Sequence, residues 1–203
     1  LGSCLSCLDI LVYLYWNHLK IDPNNPRDEN RDRLILSKGH AAPALFHVLA
    51  MKGFFSPKLL TDYGRDGGLF GEHPPAPKYL AGIEAATGSL GHGLPIGTGL
   101  ALSAKKKKNN FSVFVVLSDG ECNEGSVWEA AMMAAAKNVS NLRVIIDYNK
   151  WQATGRSNKI LQLESLFAKW TAFGWDVREV DGHNFEQLKN GITKKTEGND
   201  KPI

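Results

Sequence analysis

Residues 111–149 read FSVFVVLSDGECNEGSVWEAAMMAAAKNVSNLRVIIDYN, in which two apolar runs enclose an alanine-rich stretch. The runs at 111–117 and 142–146 are continuous and rich in Val, Ile and Phe, which is typical of strands buried on both faces of a parallel sheet. The stretch between them is long enough for one crossover helix. The segment therefore predicts a strand, a helix and a second strand parallel to the first.

Each apolar run leads directly into an oxygen-bearing side chain, Asp119 after the first run and Asn149 after the second. Neighbouring strands lie about 4.8 Å apart, so the two side chains could direct oxygens at one shared point. Open α/β sheets bind ligands outside the carboxyl ends of their strands, and oxygen ligands suit a hard divalent cation. We therefore expect a metal-bridged phosphate ligand at this edge of the sheet.

The rest of the chain continues the alternation of strands and helices. This pattern predicts an α/β fold with a mostly parallel β-sheet, helices on both faces and right-handed crossovers. We expect residues 1–203 to form a single domain of this kind. Asn184 and Gln187 have the spacing of a capping box, which predicts the start of a last helix. Further helices are expected at 5–19, 41–53, 94–106 and 160–173, and further strands at 33–36 and 175–180.

Composition narrows the class of protein. The chain has 203 residues, 43% hydrophobic and 22% charged, with a formal charge of +3. Such a chain can bury roughly 70% of its unfolded surface in one core. The basic run Lys105 to Lys108 follows an apolar helix pattern and is interpreted as a solvated helix end, so we expect no nucleic-acid partner. No apolar stretch approaches the ~18 residues of a membrane span, and no signal peptide is visible, which predicts a cytoplasmic protein without a membrane partner.

The cysteines and the chain ends carry two further expectations. Three cysteines do not form a disulfide framework, and Cys4 with Cys7 is interpreted as two half-buried cysteines at helical spacing, with a redox or zinc pair as the alternative. The chain starts at Leu1 and stops where a new strand begins at Pro202, after the turn-like residues 197–200. We expect the domain to be incomplete at both ends.

Four motifs together resemble one family. The segment SDGECNEGSVWEAAMMAAAKNVSNLRVIIDYNKWQATG (118–155) resembles the thiamine-diphosphate motif of transketolases, in particular the amino-terminal subunit of split transketolases. RDRLILSKGHA (31–41), GEHPP (71–75) and ATGSLGHGL (86–94) resemble three further transketolase segments in the same order. The likeness covers nearly the whole chain. It implies the diphosphate-binding module of a thiamine-diphosphate enzyme.

The resemblance, carried over position by position, implies a set of cofactor and metal contacts. Asp119 and Asn149 would give side-chain oxygens to Mg²⁺, and Trp151 would add its backbone carbonyl; Ca²⁺ or Mn²⁺ are expected as substitutes. Asn149 would also contact the cofactor. The Gly120 amide would meet the diphosphate, because a residue without Cβ lets the backbone approach closely. Ser118 stands where the family motif has Gly and would contribute its backbone.

Further positions match family residues around the cofactor and the substrate. The resemblance implies that His40, Gly88, Ser89 and Leu90 surround the phosphates and rings of the cofactor. It implies catalytic roles for His40 and for His73, which would face the sugar and exchange hydrogen bonds or protons with its hydroxyls.

Glu124 and Glu129 match acidic residues at the subunit contact, where shared protons link two active sites. The alternative for these two carboxylates is a purely favourable interaction with the helix dipole.

The implied activity is transfer of a two-carbon ketol unit from a ketose phosphate to an aldose phosphate, as in the pentose phosphate pathway. The implied partner is a carboxy-terminal transketolase subunit or a pyrimidine-binding domain, assembled as a dimer or heterotetramer, without which the chain is expected to be inactive. Two alternatives stay open. One is another thiamine-diphosphate enzyme, such as a deoxyxylulose-phosphate-synthase-like protein or a 2-oxo-acid dehydrogenase subunit. The other is a non-catalytic homologue that binds only the cofactor or a partner.

Overall fold

Three parallel strands form the centre of the fold. The computed structural model describes residues 1–193 and 201–203. The strands are β1 (Arg33–Leu36), β2 (Val113–Ser118) and β3 (Leu142–Asp147). They lie in the order β1-β2-β3, and both pairs are parallel. This confirms the predicted α/β class and shows that the strands preceding Asp119 and Asn149 are neighbours.

Helices cover both faces of the sheet. The first face carries α1 (Gly2–Tyr13), continued by a π-helical turn (Leu14–His18), and α2 (Ala42–Lys52). The second face carries α3 (Gly93–Lys107) and α4 (Gly125–Ala136).

The side chains of β2 divide between the two faces, because successive residues of a strand point to opposite sides. Phe114 and Val116 pack with the helices of the first face, whereas Val113, Val115 and Leu117 pack with those of the second. All six residues of β2 are buried. The apolar run at 111–117 is therefore continuous because both of its faces lie in a core.

The region after β3 departs from the predicted helix at 160–173. A two-stranded hairpin comes first, followed by two short helices instead of one long helix. Its elements are β4 (Trp151–Gln152), β5 (Gly155–Arg156), α5 (Ser157–Ile160) and α6 (Leu166–Ala172). Ser165 explains the interruption, because its side-chain oxygen accepts a hydrogen bond from the Ala168 amide at 3.1 Å and caps the start of α6. The prediction of one continuous helix is therefore wrong.

The strand predicted at 175–180 is also wrong, since these residues form no strand with any part of the chain that the structure describes. Residues 202 and 203 occupy the position next to β3. The Ile203 amide donates to the Leu142 carbonyl at 3.3 Å, and the Val144 amide donates to the Ile203 carbonyl at 2.7 Å. The Asp176 amide reaches this segment through one bond, to the Pro202 carbonyl at 3.0 Å. The turn expected at 197–200 lies outside the described residues.

The last helix, α7 (Phe185–Thr193), begins where the capping box predicts. Asn184 Oδ1 accepts hydrogen bonds from the Glu186 amide at 3.0 Å and the Gln187 amide at 3.1 Å. The reciprocal bond differs from a standard capping box, because Gln187 Oε1 accepts from the Asp181 amide at 2.9 Å. The cap therefore forms, while the glutamine ties down the preceding turn.

Two surface expectations also have structural outcomes. The basic run ends α3 in solvent, where Lys105 Nζ donates to the carbonyls of Lys137 and Asn138 beyond the end of α4. Cys4 and Cys7 lie one turn apart on α1, and burial raises the pKa of the Cys7 thiol to about 11. A thiol with so high a pKa is a poor nucleophile, which favours the structural interpretation. In the described part of the chain, no helix is both long and apolar enough to cross a bilayer.

Candidate cofactor site

The carboxyl ends of β2 and β3 bring the two expected metal-binding side chains to the same edge of the sheet. Ser118 is in register with Asp147, and the Asp119 amide donates to the Asp147 carbonyl at 3.3 Å. Asn149 follows two residues after Asp147. The shared edge therefore results directly from the parallel pairing.

Asp119 has one carboxylate oxygen in use and one free. Its side chain is 1% exposed, and Oδ2 accepts a hydrogen bond from Ser157 Oγ at 2.7 Å. Oδ1 is buried and has no hydrogen-bond partner among the described residues. A buried, unpaired carboxylate oxygen is costly, and coordination of a cation is one way to satisfy it.

Asn149 is held in a turn beside Asp119. Its Oδ1 accepts from the Trp151 amide at 2.8 Å, and its Nδ2 donates to Asp147 Oδ2 at 3.4 Å. The amide oxygen retains a second lone pair for another partner. The Trp151 ring is exposed and lies beneath the guanidinium of Arg156, at 4.2 Å from the ring centroid. The Trp151 side chain therefore belongs to the surface.

Gly120 begins the 3-10 turn that follows Asp119 (Gly120–Asn123). A Cβ at this position would lie 2.7 Å from Gln152 Cγ, so the β4–β5 hairpin closes against the turn. A cavity of about 250 Å³ opens beside Asp119, and cationic side chains of Lys150, Arg156 and Lys159 are part of its lining. This side of the site therefore suits an anionic ligand.

The β1 end of the site brings together His40, His73 and Gly88. A Cβ on Gly39 would lie 2.7 Å from the Gly88 amide nitrogen, and a Cβ on Gly88 would lie 2.9 Å from His73 Cδ2. The pKa of His40 lies below its ordinary value, because partial burial and the positive charges of Lys38 and His73 disfavour the imidazolium. His40 is therefore predominantly neutral at pH 7.

The turn after Gly88 holds the other expected cofactor contacts. Thr87 Oγ1 donates to the Leu36 carbonyl at 2.7 Å and fastens this segment to β1. Ser89 is exposed and Leu90 is half-buried. His92 is exposed, and its Nδ1 lies 3.1 Å from the Leu90 carbonyl.

Glu124 and Glu129 are both exposed at the beginning of α4. Glu124 occupies the N-cap position, and a Cβ on Gly91 would lie 2.7 Å from Glu124 Cβ. Glu124 thus borders the segment that contains Leu90. The subunit-contact role of both carboxylates stays a prediction.

A buried ion pair lies beneath the site and has no counterpart in the sequence analysis. Lys38 is fully buried, its Nζ pairs with Asp147 Oδ2, and it donates to the Ser3 carbonyl at 3.1 Å. Ser6 Oγ donates to Asp147 Oδ1 at 2.6 Å. The ion pair joins β1, β3 and α1 at one point. A lysine and an aspartate at strand ends were the available signal, but only the fold shows that they meet.

Glu121 is a second buried charge that the sequence did not reveal. Its side chain is fully buried, and Oε1 accepts from Ser37 Oγ and from the Gly91 amide at 2.8 Å. Oε2 accepts from the Ser118 amide at 3.3 Å. Burial raises the pKa of the Glu121 carboxyl, and these hydrogen bonds oppose that rise.

These features define a class: an α/β domain whose polar turns, at the carboxyl ends of parallel strands, surround a site for an anionic ligand. The family model described as "Transketolase, thiamine diphosphate binding domain" matches residues 1–203. The chain belongs to this family.

Curated relatives and solved structures agree. The chain is 41% identical over 188 residues to an apulose-4-phosphate transketolase subunit of Phocaeicola vulgatus, covering 93% of this chain and 66% of that protein. It is 40% identical to the 6-deoxy-6-sulfo-D-fructose transketolase subunit SqwG of Clostridium sp., covering 99% of this chain and 73% of the relative. The transketolase structure from Leishmania mexicana superposes with a TM-score of 0.86 at 25% identity, over 99% of this chain and 35% of the other. The chain thus spans about two thirds to three quarters of these two subunits.

The site residues fit the cofactor that the family binds. The unpaired Asp119 oxygen, the Asn149 amide oxygen and backbone carbonyls are hard ligands of the kind Mg²⁺ prefers. Within residues 1–193 and 201–203, no three His, Cys, Asp or Glu side chains converge as a metal cage. This arrangement suits Mg²⁺, which is commonly held by one or two carboxylates together with phosphate oxygens.

Proposed function

We propose that residues 1–203 form the diphosphate-side domain of a transketolase, and that this domain binds thiamine diphosphate with Mg²⁺ at the carboxyl ends of β2 and β3. The observation that carries the proposal is the buried, unpaired Oδ1 of Asp119 on a strand end of this family's fold. Asp119, Asn149 and the Trp151 carbonyl would hold the metal, for which Ca²⁺ or Mn²⁺ could substitute. The backbone of Ser118 and Gly120 would face the diphosphate.

The proposed reaction moves a two-carbon ketol unit between sugar phosphates. The C2–C3 bond of a ketose phosphate breaks and a new carbon–carbon bond forms to an aldose phosphate. When bound, the cofactor supplies the electron sink that this chemistry requires. His40 and the turn Gly88 to Leu90 would orient the cofactor, and His73 would donate hydrogen bonds to the hydroxyls of the sugar.

The proposed active site is completed by another module. Two relatives are named as subunits of transketolases, which supports a separate carboxy-terminal subunit carrying the pyrimidine-binding half. We propose a dimer or heterotetramer in which Glu124 and Glu129 lie at the contact between subunits. We also propose a cytoplasmic location and a role in carbohydrate metabolism of the pentose phosphate type.

Calorimetric titration with thiamine diphosphate tests this proposal, with and without Mg²⁺ and with and without the partner subunit. Binding that requires Mg²⁺ is the expected result. Asp119→Asn should weaken binding by about 100-fold, because the neutral amide replaces the only side-chain carboxylate proposed for the metal. No binding by the wild-type protein under any of these conditions would overturn the proposal. A comparison of xylulose phosphate with pyruvate as donor then separates a transketolase from a pyruvate-using enzyme.

A further inference from the structure

Glu121 lies where three segments of the cofactor site converge. Its carboxylate accepts hydrogen bonds from Ser37 after β1, from Gly91 in the turn before α3, and from Ser118 at the end of β2. Hydrogen bonds to an ionised acceptor are roughly twice as strong as neutral ones. One side chain therefore connects three parts of the chain that are far apart in sequence.

Each of these donors lies close to a residue assigned to the cofactor. Ser37 lies three positions before His40, Gly91 directly follows Leu90, and Ser118 directly precedes Asp119. The carboxylate thus fixes the separation between the ring-side turn, the histidine and the metal-binding aspartate. A shift of any one donor would move the neighbouring cofactor contact with it.

The packing around this carboxylate leaves little freedom. Ser37 Oγ donates to Glu121 and accepts from the Gly93 amide at 3.0 Å, so its hydroxyl serves both neighbours. A Cβ on Gly93 would lie 2.2 Å from Ser37 Oγ, closer than any real contact. The Glu121 amide also donates to Ser118 Oγ at 3.2 Å. These bonds hold Glu121 in place from both its side chain and its backbone.

We propose that Glu121 is a positioning residue for the cofactor site, acting through Ser37, Gly91 and Ser118. The proposal rests on the function proposed above and adds a residue that touches neither metal nor substrate. A carboxylate is required because each of its oxygens accepts here, whereas a glutamine offers one accepting oxygen and one donating nitrogen. If the oxygen of a glutamine at this position faced Ser37 and Gly91, its NH₂ would face the Ser118 amide, donor against donor.

The test is Glu121→Gln in the full protein with its partner subunit. We expect the Kd for thiamine diphosphate at saturating Mg²⁺ to rise about tenfold or more, the size of effect typical for residues that support a metal site from behind. We also expect faster hydrogen exchange of the Ser118 amide in the cofactor-free protein. Ser37→Ala approaches the same network from the other side and should weaken cofactor binding in the same direction.

Glu84→Gln is the matched control, because Glu84 is also a shielded carboxylate but pairs with Arg31 and Arg33 at the opposite end of β1. It should lower the denaturation midpoint without changing the Kd of the folded protein for thiamine diphosphate. Unchanged cofactor affinity in both Glu121→Gln and Ser37→Ala, with normal binding by the wild type, would overturn the role of Glu121 alone. Failure of the wild type to bind would overturn the proposed function and this inference with it.

Discussion

At the scale of single residues, the site is defined by what Asp119 does with its two oxygens. Ser157 holds one of them and leaves the other free, so the serine decides which oxygen is available for a metal. Ser157 lies on the segment after the β4–β5 hairpin, and it is buried. The orientation of the metal-binding carboxylate is therefore set by a residue 38 positions away in sequence.

Ser157→Ala should reduce the affinity for Mg²⁺ about tenfold, because loss of the orienting hydrogen bond frees the Asp119 carboxylate to rotate. The measurement is a Mg²⁺ titration at fixed thiamine diphosphate, monitored by intrinsic tryptophan fluorescence. Ser157→Thr retains the hydroxyl and should restore affinity, and Ser103→Ala on the exposed surface of α3 serves as control. An Mg²⁺ affinity equal to wild type in Ser157→Ala would show that Asp119 does not need the serine.

His40 should titrate below the ordinary histidine pKa of about 6.5, because burial and two positive neighbours disfavour its charged form. His73→Ala removes one of those neighbours and should raise the pKa of His40. NMR titration of the imidazole resonances measures both values, and His47, on the exposed side of α2, provides a reference within the same molecule. A His40 pKa at or above that of His47 would contradict the proposed environment.

At the scale of elements, short-range patterns predicted most of the fold and long-range pairing accounts for the errors. The strands at 111–117 and 142–146 were recognisable because each is continuously apolar, and their ends located Asp119 and Asn149. The strand at 175–180 failed because strand formation depends on a partner, which the local sequence does not specify.

Glu121 was missed for the same reason. Its partners Ser37 and Gly91 are 84 and 30 positions away, and a glutamate in a turn gives no sign of burial. Lys38 and Asp147 are likewise separated by 109 positions. Residues that touch the ligand follow motifs, whereas residues that support them are defined by the fold.

The start of α7 offers a direct test of an element boundary. Asn184→Ala should destabilise the protein by about 1 kcal/mol, because two amides of the first turn lose their acceptor. Chemical denaturation measures the change in the free energy of unfolding. Asn190→Ala, on the exposed side of the same helix, is the matched control and should cost nothing. Equal stabilities of the two variants would exclude Asn184 as the cap.

The contact between α1 and the turn before α7 should make stability depend on pH. The hydrogen bond from His183 to Asp9, at 2.7 Å, raises the pKa of His183 in the folded state. The stabilisation is therefore complete below the unfolded pKa of about 6.5 and is lost as the pH rises through the higher folded value. Both groups are exposed, so the effect should be small and should weaken with salt.

Asp9→Asn tests this contact. The variant should be less stable than wild type at pH 5.5 and close to it at pH 8.5, as measured by the denaturant midpoint. A difference that is larger at the higher pH would reverse the expected sign and contradict the assignment.

At the scale of the whole molecule, the described chain supplies one side of the proposed active site. The relatives that it matches are about 1.4 to 1.5 times as long or are full transketolases of which it covers about a third. Residues 1–203 alone should therefore show no ketol transfer from xylulose phosphate to ribose phosphate, and addition of the partner subunit to the full protein should produce it. A coupled assay of glyceraldehyde phosphate release measures both. Turnover by the 203 residues alone would contradict the two-module site.

The ion pair of Lys38 with Asp147 has a practical consequence for anyone who cuts or recombines this domain. Ser3 and Ser6 complete that pair from the opening turns of α1, so the first helix is a wall of the catalytic chamber and not a removable leader. Trimming even six residues from the amino terminus would strand a charged lysine and aspartate in apolar surroundings. Chimeras and truncations should therefore keep this helix with its own sheet.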